Sequence, residues 1–384
     1  MSCICRSWVS SSAGSKPVDA DTLLTQSLHS PQRFFLRDYA ACRQQFMQAV
    51  DGFSNELVEH RSWSLPIADE PGLYTDAVLL GQPQAKQTLV LISGTHGVEG
   101  YVGSAIQRFL LQYLQADAAA FASGWNILLL HALNPWGMQH ARRCDQDGID
   151  LNRNFIDFSA LPTIDDDYID VLNAFQMNDV EARRQQLAGL GQQWGQMRFD
   201  RLLSGGQYEY DWAPFYGGRS PAFAQGVLNE IIETWQLAEK RLVVIDLHSG
   251  LGPWGHGELI SDHPLSSRAN EEAQRLFGRA VAVTDAGESC SVSKAGLMDY
   301  RWHPLTQQQG CFLTLEFGTL GTQNLFDVLI NDHRLHQQAG AADVDTLQQR
   351  HAMLDHFSPD DHLWQQSVLF RGWQVVSRVL ESQA

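Results

Sequence analysis

No apolar run in this chain approaches the roughly 20 residues that a membrane span requires, and the opening stretch MSCICRSWVSSSAGSK lacks the continuous apolar segment of a secretory signal. The default expectation is a cytoplasmic protein with no membrane partner. Basic residues are the minority, 27 against 44 acidic, and the net charge of -17 would repel phosphate backbones and anionic surfaces. Nucleic acid is therefore not an expected partner. Cysteine is sparse: Cys3, Cys5, Cys42, Cys144, Cys290 and Cys311 are scattered without the dense spacing of a disulfide-stapled fold, and they read as thiols. Cys3 and Cys5 could hold a soft metal, but beside a Ser/Gly-rich stretch they read as part of a flexible end. There is no GxSxG and no GxxxxGK[ST], so a serine-hydrolase elbow and a Walker loop have no support. Gly250 to Gly255 (GLGPWG) satisfies GxGxxG, yet the following HGELISDHP begins like a strand where a dinucleotide fingerprint must open a helix.

What the chain does contain is a 44% hydrophobic complement, enough over 384 residues to bury a sizeable core. Residues 1 to 30 are Ser-rich and non-periodic and read as a flexible arm, followed by a helical segment from Pro31 to Val50. Residues 31 to 384 read as a single catalytic domain. Four apolar runs, TLVLIS (88 to 93), NILLLHA (126 to 132), RLVVIDL (241 to 247) and FLTLEF (312 to 317), read as buried strands. Segments with helical spacing lie between or after them: Ala105 to Leu114, Ala222 to Lys240 and Ala341 to His356. The alternation predicts an α/β fold, a mostly parallel sheet covered by helices on both faces. Residues 165 to 216 separate two core strands by more than a connection needs and read as an insertion beside the active site.

Chemistry-bearing residues collect where those strands end. After the first run, Ser93 to Gly100 (SGTHGVEG) sets His96 and Glu99 three positions apart in a Gly-rich loop, two of the three N/O ligands that a hydrolytic zinc site needs. His248, at the carboxyl end of VVIDLHSG, can supply the third; alternatively it is a strand-end histidine satisfied by carbonyls. Glu316 lies inside FLTLEFGT, where a buried carboxylate is expensive unless it has work such as general-base catalysis; the alternative is a Glu turned to solvent. Between them, NPWG (134 to 137) precedes RRCDQDGIDLNRNF (142 to 155), whose arginines and asparagine suit a carboxylate and an oxyanion, or else form a solvated basic turn.

Taken in order, HGVEG, NPWG, RRCDQDGIDLNRNF, DLHSG and LEFGT resemble the zinc carboxypeptidases of the carboxypeptidase A type, most closely a branch of predicted bacterial peptidases without an assigned substrate. The resemblance implies one zinc ion held by His96, Glu99 and His248, with Glu316 as general base. It implies that Arg143, or adjacent Arg142, polarises the scissile carbonyl, that Asn152 and Arg153 grip a terminal carboxylate, and that Asp150 orients the first zinc histidine. The family fold is a mixed sheet of about eight strands with helices on both faces. Many members carry a mobile tyrosine shortly before the catalytic Glu; Tyr300 is the nearest candidate, with Tyr216 another. Residues 285 to 309, which would shape the pocket for the departing side chain, carry no recognisable motif. The expected activity is hydrolysis of an amide bond beside a free carboxylate in a small peptide. Relatives that share the ligand set, aspartoacylase and succinylglutamate desuccinylase, make an N-acyl-amino-acid deacylase the alternative. A non-catalytic binding protein on a peptidase scaffold is the third reading. Trp136 and Trp254 are expected along the cleft.

Overall fold

Eight strands form one sheet, in the order β1-β2-β4-β3-β5-β8-β6-β7, in a computed structural model that describes residues 19–54, 58–68, 70–82, 84–116, 124–337 and 343–382. The strands are β1 (Val58–Ser64), β2 (Tyr74–Leu80), β3 (Gln87–Ser93), β4 (Trp125–His131), β5 (Arg241–Ser249), β6 (Gly257–Ser261), β7 (Val281–Val283) and β8 (Gly310–Phe317). The helices are α1 (Ala20–His29), α2 (Tyr39–Val50), α3 (Gly100–Ala116), α4 (Pro135–His140), α5 (Tyr168–Phe175), α6 (Val180–Trp194), α7 (Gln196–Ser204), α8 (Phe223–Thr234), α9 (Arg268–Phe277), α10 (Asp299–Thr306), α11 (Thr322–Gln337), α12 (Asp343–Phe357) and α13 (His362–Leu380). Strands β4, β3, β5 and β8 run parallel at the centre, while β1/β2, β2/β4 and β6/β8 pair antiparallel, so the sheet is mixed.

The four strands read from sequence are that parallel core. Each is buried along nearly its whole length, the signature of a strand covered on both sides. Successive residues face opposite layers. Leu89, Leu91, Ile127, Leu129, Val243, Ile245 and Leu313 pack under α2, α3, α9 and α13, while Val90, Ile92, Leu128, Leu130, Val244 and Phe312 pack against α8 and α10. Because the central strands share one direction, their carboxyl ends gather on one rim, and the register sets His248 beside Glu316.

The arm expected over residues 1 to 30 is shorter than the sequence suggests. Asp19 accepts a hydrogen bond from the Thr22 N–H and starts α1, whose Leu24 and Leu28 pack on the core; residues 1 to 18, with Cys3 and Cys5, lie outside the described residues. The helical segment expected from Pro31 is also broken. Pro31–Arg33 makes one 3-10 turn, and α2 begins only after Asp38 caps the Ala41 N–H. Residues 165 to 216 fold into α5, α6 and α7 around their own apolar cluster, which Ile330 of α11 joins. Among the described residues Cys42, Cys144, Cys290 and Cys311 are free, and no helix is long and apolar enough to cross a membrane.

Candidate metal centre

The loop after β3 has its shape because two glycines touch. A Cβ on Gly97 would sit 2.1 Å from the backbone of Gly137, so the HGVEG and NPWG strings require one another. Asn134 caps α4 through the Gly137 N–H at 2.8 Å, and its own N–H donates to the Gly94 carbonyl at 2.8 Å. The Gly97 and Val98 N–H groups donate to the carbonyls of Arg143 and Arg142 at 3.1 and 2.8 Å. Local chain geometry thus ties the first histidine to the arginine-bearing segment.

His96, Glu99 and His248 are each buried, and one ligand atom from each lies within 4.8 Å of the others. His96 Nδ1 is 2.8 Å from Glu99 Oε1, His248 Nδ1 is 3.0 Å from Glu99 Oε2, and the two Nδ1 atoms are 3.2 Å apart. Their outer nitrogens face carboxylates: His96 Nε2 to Asp150 Oδ1 at 3.1 Å, and His248 Nε2 to Asp246 Oδ2 at 2.5 Å. A carboxylate fixes the proton on the nitrogen it faces, so in the neutral rings both Nδ1 lone pairs point inward at each other and at Glu99. Three inward lone-pair donors with no proton between them repel unless a cation sits among them. Two nitrogens bound to one zinc ion at tetrahedral angles would be separated by roughly 3.4 Å, close to the spacing seen. The residues therefore fit a divalent ion with two imidazoles and a carboxylate as donors.

In the protein alone a proton can take the place of that cation. Burial opposes a charge on His248, but Asp246 and Glu99 outweigh it and hold the ring well above the usual imidazole range. Burial likewise opposes the charges of Glu99 and Asp150; His96 and His248 hold the first below its usual range, Arg143 and His96 the second. Glu316 behaves oppositely: burial, then the Glu99 charge, push its carboxyl up to about 7. Its Oε1 accepts the Leu251 N–H at 3.0 Å, and it shares a cavity of about 330 Å³ with the three ligands.

The two adjacent arginines separate cleanly. Arg143 Nε donates to Asp150 Oδ2 at 2.9 Å and Nη1 to Glu99 Oε1 at 3.2 Å, on the cavity wall. Arg142 points away, its Nε on Asp332 of α11 at 2.9 Å, and it is absent from the wall; an anchoring role replaces the substrate-binding one. Asn152 and Arg153 do line the cavity. The Asn152 Oδ1 accepts the Met298 N–H at 2.7 Å, and the almost fully buried Arg153 donates to the Ser204 and Asn152 carbonyls. Tyr300 is partly exposed with its hydroxyl on the Lys294 carbonyl at 2.9 Å, and neither it nor Tyr216 nor any other described tyrosine lines the cavity. Trp136 and Trp254 also lie off it.

Three contributors went unread in the sequence. Asp246 precedes His248 by two positions, which on a strand puts both on one face, a readable signal. Phe215, at φ +62, places its ring under both Arg143 and Arg153, with guanidinium carbons 5.4 and 5.6 Å from its centroid. The lining also includes Asp262, Cys290, Lys294, Asp299 and Thr314, brought together only by folding.

A family profile described as "Protein of unknown function (DUF2817)" matches residues 35–371. The chain belongs to that family. No curated protein matches it in sequence. Among solved structures, this DUF2817 chain is similar to bovine thrombin-activatable fibrinolysis inhibitor in complex with a tick carboxypeptidase inhibitor, at 10% identity and TM-score 0.48, covering 88% of this chain and 97% of that one. It is similar to carboxypeptidase A from Helicoverpa armigera at 14% identity and TM-score 0.45, covering 87% and 79%. An aspartoacylase family protein from Mesorhizobium loti matches at 15% identity and TM-score 0.37, covering 73% and 67%.

Proposed function

We propose that this protein is a zinc-dependent hydrolase, metallocarboxypeptidase-like, that cleaves an amide bond beside a free carboxylate in a small peptide. The observation that carries the reading is the convergence of His96, Glu99 and His248, each imidazole backed by its own carboxylate, on a cavity that also holds Glu316. Those three residues would hold one zinc ion, which when bound supplies Lewis-acid polarisation and lowers the pKa of water. Glu316, steadied through Oε1 by the Leu251 N–H, takes the proton of the attacking water and passes it to the departing nitrogen. Arg143 is held by Asp150 and Glu99 through Nε and Nη1, which leaves Nη2 for the oxygen that gains charge. Arg153 makes no ion pair within 4.0 Å among the described residues; the Asp150 charge acts on it only from farther away, so a substrate carboxylate would be its first direct ionic partner. Asn152, whose Oδ1 is taken by Met298, has its amide N–H groups for the same carboxylate. We place the activity in the cytoplasm, which the free thiols favour.

The test is Glu316→Gln in zinc-loaded protein, assayed on peptides with free carboxyl termini, their C-terminal amides and N-acyl amino acids. Metal content should persist while turnover drops by roughly 10²- to 10⁴-fold. Near wild-type turnover would remove Glu316 as the base. Release from N-acyl amino acids alone would establish the deacylase, and inertness of the wild type on the whole panel would leave a binding protein. Because burial, the largest cause, raises the Glu316 pKa, its base form is lost early on acidification, and turnover of the zinc-loaded protein should decline at a pH above the usual carboxylate range.

A further inference from the structure

The cavity wall formed by residues 290 to 297 carries a cation that the hydrolytic reading does not use. Lys294 is half-buried and lines the cavity beside Leu297, on a loop fixed from several sides. The Ala295 N–H donates to the Gly205 carbonyl at 3.0 Å, the Tyr300 hydroxyl donates to the Lys294 carbonyl at 2.9 Å, and a Cβ on Gly296 would lie 2.1 Å from the Arg153 carbonyl oxygen. This lysine is thus held in place rather than free to sweep through solvent. Its ammonium donates to the Ser291 hydroxyl and, at 2.9 Å, to the Val292 carbonyl, which leaves one of its three protons for another acceptor. Among the described residues no carboxylate lies within 4.0 Å of it.

Its electrostatic surroundings are lopsided. Burial and the neighbouring Arg153 charge push Lys294 down to about 8, with Asp262 and Glu316 opposing and Arg143 adding to the fall. Arg153 and Lys294 are therefore two cations on one cavity, neither with an ion-pair partner, in a chain of net charge -17 where carboxylates abound. Of the acids on the same wall, Asp299 sits 3.2 Å from His303, and Asp262 lies beyond ion-pair distance of Lys294. An α-carboxylate at Arg153 answers one cation and leaves the other.

We propose that Lys294 selects substrates whose departing residue carries a second carboxylate, an aspartyl- or glutamyl-type side chain. This rests on the hydrolase reading above and names its substrate class. The experiment compares kcat/KM of the zinc-loaded protein on matched substrates differing only in the departing residue: Glu, Gln, Leu and Lys. A carboxylate paired to a charged donor should favour Glu over Gln by roughly tenfold or more. Lys294→Met should bring the Glu/Gln ratio to about one, Lys294→Arg should restore it, and Lys294→Glu should shift preference toward the Lys substrate. Asp262→Asn should raise the Glu/Gln ratio. Hydrolysis with no Glu preference, or with a wild-type preference for Lys, overturns the selection and leaves the hydrolase standing. A Glu/Gln ratio that survives Lys294→Met overturns it too. Inertness on all four substrates takes down the hydrolase reading itself.

Discussion

Asp246 and His248 stand two positions apart on β5 and meet at 2.5 Å, while the Asp246 Oδ1 accepts the Thr95 hydroxyl at 2.8 Å. The carboxylate therefore fixes both the tautomer and the orientation of the third ligand. Asp246→Asn keeps the shape but can turn the proton around on the ring, so zinc affinity should fall roughly 10- to 100-fold, as measured by competition with a chromophoric chelator. Unchanged affinity would show that strand geometry alone orients His248. At this scale the sequence was most legible where a chemical residue interrupts an apolar strand end or a Gly-rich turn, as at His96, Glu99, His248 and Glu316. It was least legible where partners come from far away. Nothing in RRC says which arginine faces Glu99 and which faces Asp332, because the choice is made by α11, some 190 positions downstream.

The contact between Gly97 and Gly137 is a property of two elements, the β3 loop and α4, and its tolerance is nil: a methyl group at Gly97 would lie 2.1 Å from a backbone carbon. Gly97→Ala should displace the loop and reduce zinc binding and stability together, the latter by more than about 2 kcal/mol in urea unfolding. Wild-type behaviour would mean that the two turns can part without cost. A second element-level test concerns β4, whose His131 stacks on Phe46 of α2 at 4.5 Å and meets the Ser104 hydroxyl of α3 at 2.9 Å. Burial pushes this imidazole down to about 4, while an unfolded chain binds the proton near 6.5. The unfolded state thus holds more protons between those values, and the ring's contribution is intact above about 6.5 and shrinks as pH falls toward about 4. The stability gap between wild type and His131→Gln should narrow by about 1.4 kcal/mol per pH unit in that window; a constant gap would mean the ring titrates normally. Central strands were readable because burial on both faces makes them uniformly apolar. Strand β1 was not, since VEHRSWS is largely exposed at the sheet edge, and β2, YTDAVLL, carries Asp76 in its midst, held by Arg43 and Ser62.

For the molecule as a whole, an ion held as proposed by β5 and the loop after β3 would bind the folded chain only, so saturation a thousandfold above Kd would add about 4 kcal/mol. The melting temperature should rise by roughly 5 °C on zinc loading and fall back with chelator. Glu316→Gln should keep that shift and His248→Ala should lose it; a shift surviving in the latter would place the ion elsewhere. Overall architecture was legible from alternating strands and helices, whereas the pocket wall was not, because residues 262, 290, 294, 299 and 314 meet only through tertiary packing. The same dispersal bears on how the protein comes into being. Glu99 and His248 are 149 positions apart, and Glu316 follows the second of them on a later strand. A ribosome adding about 5 to 20 residues each second would deliver the first pair of donors many seconds before the last, so a nascent chain cannot bring the three together until the strand that carries His248 has been made.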